Sequence, residues 1–302
     1  MTSRASAAVG MSRRRTISRD VVCGGNGLHT GRPFSVRLSP NFGSPGIRFD
    51  LPQGEYGVED ATPSGTSRGT DLIFPCGTHL KTVEHLLAAA GGLDVDSMTI
   101  AVRSEDVGSS AGGDVFEIPA LDGCAAGWGG MILEAGIAER DGALEFLSPP
   151  VPVALSDAGG ERFVGAFPSD IFRIDYIIRY PSIPDIGTQA FSIRPDPDSF
   201  ASGIMPARTF ALDSEIEMLY RRGLAKGGSL ENATVFGDRT GSVRAKGGLR
   251  FPDEPVRHKV LDLIGDLVLV GRPLRARVIA FMAGHEMHLR LVRALRALIL
   301  RQ

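Results

Sequence analysis

Apolar residues recur along this chain with two different periods. Phe34–Leu38 alternates apolar and polar residues, as a half-buried strand does. Phe172–Tyr180 alternates as well, with Arg173, Asp175 and Arg179 on one side and a break at Ile177. Thr16–Cys23, Ile47–Phe49, Ser97–Arg103, Gln189–Ile193, Ala233–Phe236 and Arg275–Met282 are further short strand candidates. Helical spacing marks 82–90, 213–222, 256–269 and 285–300, with another helix start near Trp128. Thr82 is placed to cap the first of these, and Gly91 or Gly92 to end it. Gly24-Gly25-Asn26-Gly27 reads as a tight bend.

Each half therefore holds several short strands and one or two helices kept apart from the sheet, which predicts two α+β layer domains. The expected division is 15–130 and 131–302, after a disordered basic leader at 1–14. The helices at 82–90 and 256–269, each with polar residues among apolar ones, come late in their halves. A duplicated architecture with one site between the halves accounts for that placement.

The bulk numbers add exclusions. A net charge of −2 predicts no broad nucleic-acid or anionic-membrane surface. The chain has 38 Gly and 19 Pro, which fits many turns and short elements. Cys23, Cys76 and Cys124 are widely spaced and odd in number, so neither a disulfide framework nor a cysteine-rich metal site is expected. Reduced cytosolic thiols are the default. No stretch is long and apolar enough to span a bilayer. Residues 1–19 carry five Arg and no acid, a composition also seen in organellar transit peptides. Met11 is itself a possible start, and we expect a short leader on a cytoplasmic protein.

Candidate chemistry sits on the two polar-bearing helices. His258, Asp262 and Asp266 recur every four residues and stack along one face, while Leu261, Ile264, Leu267 and Val268 form a buried stripe. That spacing alone does not separate a metal site from an ordinary helix with a polar face. Glu84 and His85 lie inside an apolar helix, where a carboxylate beside a metal-binding His can serve as general base. His85, His258 and Asp262 are the candidate metal ligands. Three protein ligands leave a position for water, as in catalytic zinc sites. Asp266 is placed to orient a nearby His. His285 opens a helix after a Gly and can, as imidazolium, stabilise an oxyanion and protonate a leaving amine. His285-Glu286-Met287-His288 misses the H-E-x-x-H register of metalloproteases, and His288 is expected at the surface. The cluster at 24–31 matches neither phosphate-binding glycine pattern, and His29 is read as structural.

Six motifs in order resemble one family. They are G-N-G-L-H-T-G at 25–31, T-V-E-H-L-L-A-A at 82–89, E-I-P-A-L-D-G at 117–123, A-R-T-F at 207–210, R-G-L-A-K-G-G-S-L-E-N-A at 222–233 and V-R-H-K-V-L-D-L-I-G-D-L at 256–267. Together they resemble the zinc-dependent UDP-3-O-acyl-N-acetylglucosamine deacetylases, which act at the committed step of lipid A synthesis. The resemblance implies two similar α+β domains with helices packed between the sheets and the site at their interface. It implies zinc, or iron(II), on His85, His258 and Asp262, and Glu84 as general base. His285 becomes the cationic partner with Asp266 beside it. Thr209 helps hold the oxyanion, Lys259 contacts the substrate sugar or diphosphate, and Phe210 lines the hexosamine site. It further implies an acyl-chain passage near 211–235, an acylated UDP-sugar as partner, and a monomer. The chain departs from the family at Glu286-Met287-His288-Leu289, Ala211, Glu215 and Cys124, which bears on efficiency and substrate range. The alternative is a weakly active or inactive paralogue that binds a sugar nucleotide or a protein partner.

Overall fold

The structure, a computed structural model, describes residues 13–66, 69–104, 115–238 and 241–300. The first half runs β1 (Arg13–Ile17), β2 (Val21–Asn26), β3 (Pro33–Pro40), β4 (Ile47–Leu51), β5 (Gly54–Gly57), β6 (Thr62–Thr66), β7 (Gly69–Ile73), β8 (His79–Lys81), α1 (Glu84–Gly92), β9 (Met98–Ser104), β10 (Val115–Glu117) and α2 (Ala126–Ala135). The second runs β11 (Ile137–Ala143), β12 (Val153–Ser156), β13 (Phe163–Pro168), β14 (Arg173–Tyr180), β15 (Gly187–Ile193), α3 (Pro197–Gly203), β16 (Phe210–Leu212), α4 (Asp213–Arg221), β17 (Thr234–Phe236), β18 (Val243–Arg244), α5 (Glu254–Val268), β19 (Ala276–Phe281) and α6 (His285–Ile299).

Two five-stranded sheets share one topology. Their orders are β2-β3-β9-β4-β5 and β12-β13-β19-β14-β15. In each, two hairpins are split by a late central strand, antiparallel to the first hairpin and parallel to the second. Each central strand follows one helix and precedes another: α1 and α2 flank β9, and α5 and α6 flank β19. The α+β duplication expected from helix placement is thus present in the strand order. Smaller sheets, β10-β8-β7-β6 and β16-β17-β18, are inserted ahead of or around these helices, and β1 pairs with β11 across the halves.

Period-two patterning holds where it was read. In β14, Ile174, Tyr176 and Ile178 are buried while Arg173, Asp175 and Arg179 face outward. Ile177 shares the outer side but is only half-buried. Helix α5 packs on β14 and β15 and, on another side, on α1. Small residues let α1 and α5 meet closely: a Cβ at Gly265 would lie 2.1 Å from the Glu84 carbonyl oxygen.

Some expectations change. Thr16–Cys23 is not one strand: Ser18-Arg19-Asp20 interrupts it, and Ser18 N donates to Gly136 O. Gly24–Asn26 is strand, paired with β3, and the turn follows at 27–32. The glycines there admit close packing, since a Cβ on Gly25 would sit 3.0 Å from Pro119 Cβ. Thr82 caps nothing; it adopts a left-handed φ of 57° two residues before Glu84. Position 130 lies within α2. Residues 1–12 of the expected leader lie outside the described residues, while Arg13 and Arg14 belong to β1. All three cysteines are free thiols. Among the described residues no helix is long and apolar enough to cross a membrane.

Candidate active site

The close α1–α5 crossing brings the predicted residues of both halves together. Glu84 and His85 open α1, and His258, Asp262 and Asp266 line the facing side of α5. All five are buried. The His258 and His85 Nε2 atoms stand 3.2 and 3.8 Å from Asp262 Oδ1, and the two imidazole rings meet edge to face at 5.0 Å. His258 Nδ1 faces the Ala207 carbonyl at 3.0 Å. A carbonyl only accepts, so Nδ1 carries a proton and donates it there, which leaves Nε2 facing Asp262. Among the described residues no hydrogen bond reaches Asp262 Oδ1 or His85 Nδ1. A buried polar atom without a partner is costly, and a cation placed among these donor atoms removes that cost. The donor set of two imidazoles and one carboxylate therefore fits a zinc-like dication.

A second group, Asp266, His285 and His288, also clusters donor atoms. There the facing atoms are already joined by hydrogen bonds. Asp266 Oδ2 accepts from His285 Nδ1 at 2.9 Å and from His288 Nδ1 at 2.8 Å. His288, expected at the surface, is fully buried. The reason is helical spacing: it follows His285 by three residues and so shares its inward face. His285 Nε2 lies 3.6 Å from Asp262 Oδ2, which links the two groups.

Burial and neighbours set the charges. Burial raises the Glu84 pKa to about 8, with Asp262 and Asp266 adding to the rise and His285 opposing it. Burial pushes His285 down, but Asp266, Asp262 and Glu84 outweigh it and bring its pKa to about 9. Burial and His258 lower His85 to about 3, which keeps that ring neutral. Burial opposes ionisation of Asp262, yet His258, Lys259 and His285 hold its pKa well below the ordinary value.

Two other predicted residues border this centre. Lys259 Nζ donates to Asp262 Oδ2 at 2.8 Å and sits 5.7 Å from the centroid of the Phe210 ring. Phe210 meets Tyr180 and Phe236 edge to face. Thr209 is held through its backbone to Gly123 and Thr234, two residues beyond Ala207.

Other positioning groups went unread in the sequence. Thr70 is fully buried, and its N donates to Glu84 Oε2 at 3.0 Å. Its hydroxyl donates to Asp266 Oδ1 at 2.6 Å and lies 3.1 Å from His285 Nδ1. No local pattern marks it, because its partners lie far along the chain. Glu117 accepts from His29 N and Thr30 N, both at 2.8 Å, and from the Thr82 hydroxyl at 3.0 Å. It thereby ties the 27–31 turn to the start of α1. Arg208 forks onto Glu254 at the first turn of α5, with its Nε 2.9 Å from Oε1.

An ordinary helix crossing has no use for three acids, four imidazoles and unpartnered donor atoms at its centre. The fold and this arrangement place the chain among metal-dependent hydrolases. Comparison with known proteins gives the family. The family model "LpxC: UDP-3-O-acyl N-acetylglycosamine deacetylase" matches residues 14–297. A UDP-3-O-acyl-N-acetylglucosamine deacetylase from Chlamydia abortus is 39% identical over 286 residues, covering 93% of this chain and 95% of that protein. Similar proteins of the same name occur in Nitratidesulfovibrio vulgaris, at 39% over 90% of this chain and 84% of the relative, and in Chlamydia trachomatis serovar L2, at 40% over 92% and 93%. The chain belongs to the LpxC family of deacetylases.

Proposed function

We propose that this chain hydrolyses the N-acetyl group of UDP-3-O-acyl-N-acetylglucosamine and releases acetate, the committed step of lipid A biosynthesis. Family membership and the buried convergence of His85, His258 and Asp262 support this reading. Those three residues would hold zinc, or iron(II), which polarises the amide carbonyl, acidifies the attacking water and draws the Glu84 pKa down. Glu84, fixed by Thr70 N, takes the proton of that water as it adds to the carbonyl carbon. His285, held by Asp266 and protonated at neutral pH, faces the oxyanion together with Thr209. The C–N bond then breaks, His285 gives its proton to the departing amine, and acetate leaves. Lys259 and Phe210 lie beside Asp262 and would meet the sugar and its diphosphate.

The acyl chain would run along the insert between 211 and 235. Met218, Tyr220 and Leu230 expose apolar surface there, which supports that course. The chain would act as a cytoplasmic monomer that draws on a lipid pathway at the membrane surface. The test is acetate release from the acylated UDP-sugar, with and without a chelator. The reading expects one metal per chain, loss of activity on chelation, and recovery on adding Zn2+ or Fe2+. Full activity in fully demetallated protein would sink it.

A further inference from the structure

Asp266 has a third partner that the hydrolytic reading does not use. His288 Nδ1 approaches Asp266 Oδ2 at 2.8 Å, as close as His285 does. The other His288 nitrogen, Nε2, lies 3.0 Å from the Tyr176 hydroxyl. Tyr176 comes from the centre of β14 and, like His288, is fully buried. Its hydroxyl also donates to the Ala283 carbonyl at 2.5 Å. Ala283 stands two residues before His285, so Tyr176 contacts this stretch at two points, its single proton serving one of them at a time. One is the backbone leading into His285, and the other is the His288 ring.

Geometry explains what this adds. Among the described residues, Asp266 would otherwise be held by the Thr70 hydroxyl on Oδ1 and the His285 ring on Oδ2. Its plane could then rotate with His285, because both would move as one hinged pair. A second donor from α6, itself braced by Tyr176 on β14, removes that freedom. The His288 ring stacks edge to face on Tyr176 at 5.9 Å and on His285 at 5.9 Å, so its own rotation is blocked on two sides. Tyr176 transmits the rigidity of the sheet through it. A misplacement of about 1 Å at a reacting group costs on the order of 100-fold in rate, so such bracing matters to turnover.

We propose that His288, backed by Tyr176, is a positioning residue for the deacetylation, fixing the Asp266 carboxylate and through it the His285 imidazole. The proposal rests on the functional reading above. His288 touches neither substrate nor metal ligand in this role.

The test uses full-length, zinc-loaded protein and steady-state acetate release. His288→Ala is expected to lower kcat roughly 10–100-fold, with KM within about 2-fold of wild type and one metal still bound per chain. His288→Asn keeps an N–H donor for Asp266 and is expected to recover at least about 5-fold of that loss. Tyr176→Phe removes a single oxygen and is expected to lower kcat about 3–10-fold, again with KM unchanged; it carries the test should His288→Ala fail to fold. A purely structural His288 would lower stability or metal content and leave kcat per metal-loaded chain alone. Wild-type kcat in folded His288→Ala, or in Tyr176→Phe, overturns the proposal. So does an Asn variant no better than Ala. A wild-type protein that releases no acetate instead overturns the functional reading itself.

Discussion

Gly265 sits where α5 crosses α1, and replacing it with Ala separates two effects that usually travel together. A Cβ there would lie 2.1 Å from the Glu84 carbonyl oxygen, 2.8 Å from its carbon and 3.0 Å from its Cα. An ordinary C···O approach is about 3.3 Å, so the helices must part by roughly 1 Å. The opposing atoms are backbone and cannot rotate away. Such overpacking costs about 1–3 kcal/mol, while exchanging Gly for Ala inside a helix returns about 1 kcal/mol. The net loss of stability is therefore small, on the order of 0–2 kcal/mol. The metal site has no such compensation. His85 rides on α1 while His258 and Asp262 ride on α5. Metal–ligand distances tolerate about 0.2 Å, a fraction of the required shift. The expected result is a fall of about 100-fold or more in zinc affinity, measured by competition with a chromophoric chelator, with near-native circular dichroism. Gly91→Ala is the control. Its Cβ would meet the Val268 Cγ2 methyl at 2.6 Å, a side-chain atom that can turn aside, and Ile264 Cγ2 at an ordinary 3.9 Å. Unchanged zinc affinity in Gly265→Ala would refute the claim that this crossing sets the site.

Two further outcomes test the framework. Arg208 and Glu254 form a pair 2% and 1% exposed, and Glu254→Gln should lower the urea stability by about 3–5 kcal/mol because it strands a buried guanidinium; a loss below about 1 kcal/mol would contradict that role. On β14, burial pushes the Asp175 carboxyl up, but Ser192, Arg173 and Arg277 outweigh it and bring its pKa to about 2. A depressed carboxyl contributes stability above its unfolded pKa of about 3.9 and loses it as pH falls towards 2. The gap in melting temperature between wild type and Asp175→Asn should be full at pH 7 and close towards pH 2; a gap that does not change with pH would count against the ion pairs.

The sequence was most readable where local periodicity meets a simple environment. The strand at Phe172–Tyr180 and the helix at 256–269 came through within a residue or two, since the strand alternates cleanly and the helix repeats its polar residues every four positions. Reading failed where a residue's partner lies far along the chain. Gly24–Asn26 looks like a turn until Pro119 is seen packing on Gly25. Thr82 looks like a helix cap until Glu117, 35 residues on, is found holding its hydroxyl in a left-handed turn. Thr70 lacks any local signature, and its hydroxyl finds Asp266 across 196 residues. His288 is different. Its i+3 relation to His285 is plain in the sequence, and a helix beginning at His285 puts both on one face, so its helical phase points inward although the metalloprotease register is missed.

The duplicated topology explains why the site is where it is and why it is lopsided. Equivalent helices, α1 and α5, precede equivalent central strands, β9 and β19, so the repeat brings two like helices face to face. Symmetry alone would supply the same residues from each. Instead α1 contributes Glu84 and His85 at its first turn, whereas α5 contributes His258, Asp262 and Asp266 over two further turns. The first turn of a helix is where a side chain can be fixed by a neighbouring strand, and Thr70 of β7 fixes Glu84 there. The middle of a helix offers regular four-residue spacing, which suits a ligand pair and its support. Each half thus supplies what its own local geometry can hold rigidly. The inserts differ for the same reason: β7 in the first half brings Thr70 to the centre, and the 207–210 segment in the second brings the Ala207 carbonyl that sets the His258 tautomer. Neither half holds a complete site, so the chemistry depends on the crossing that Gly265 permits.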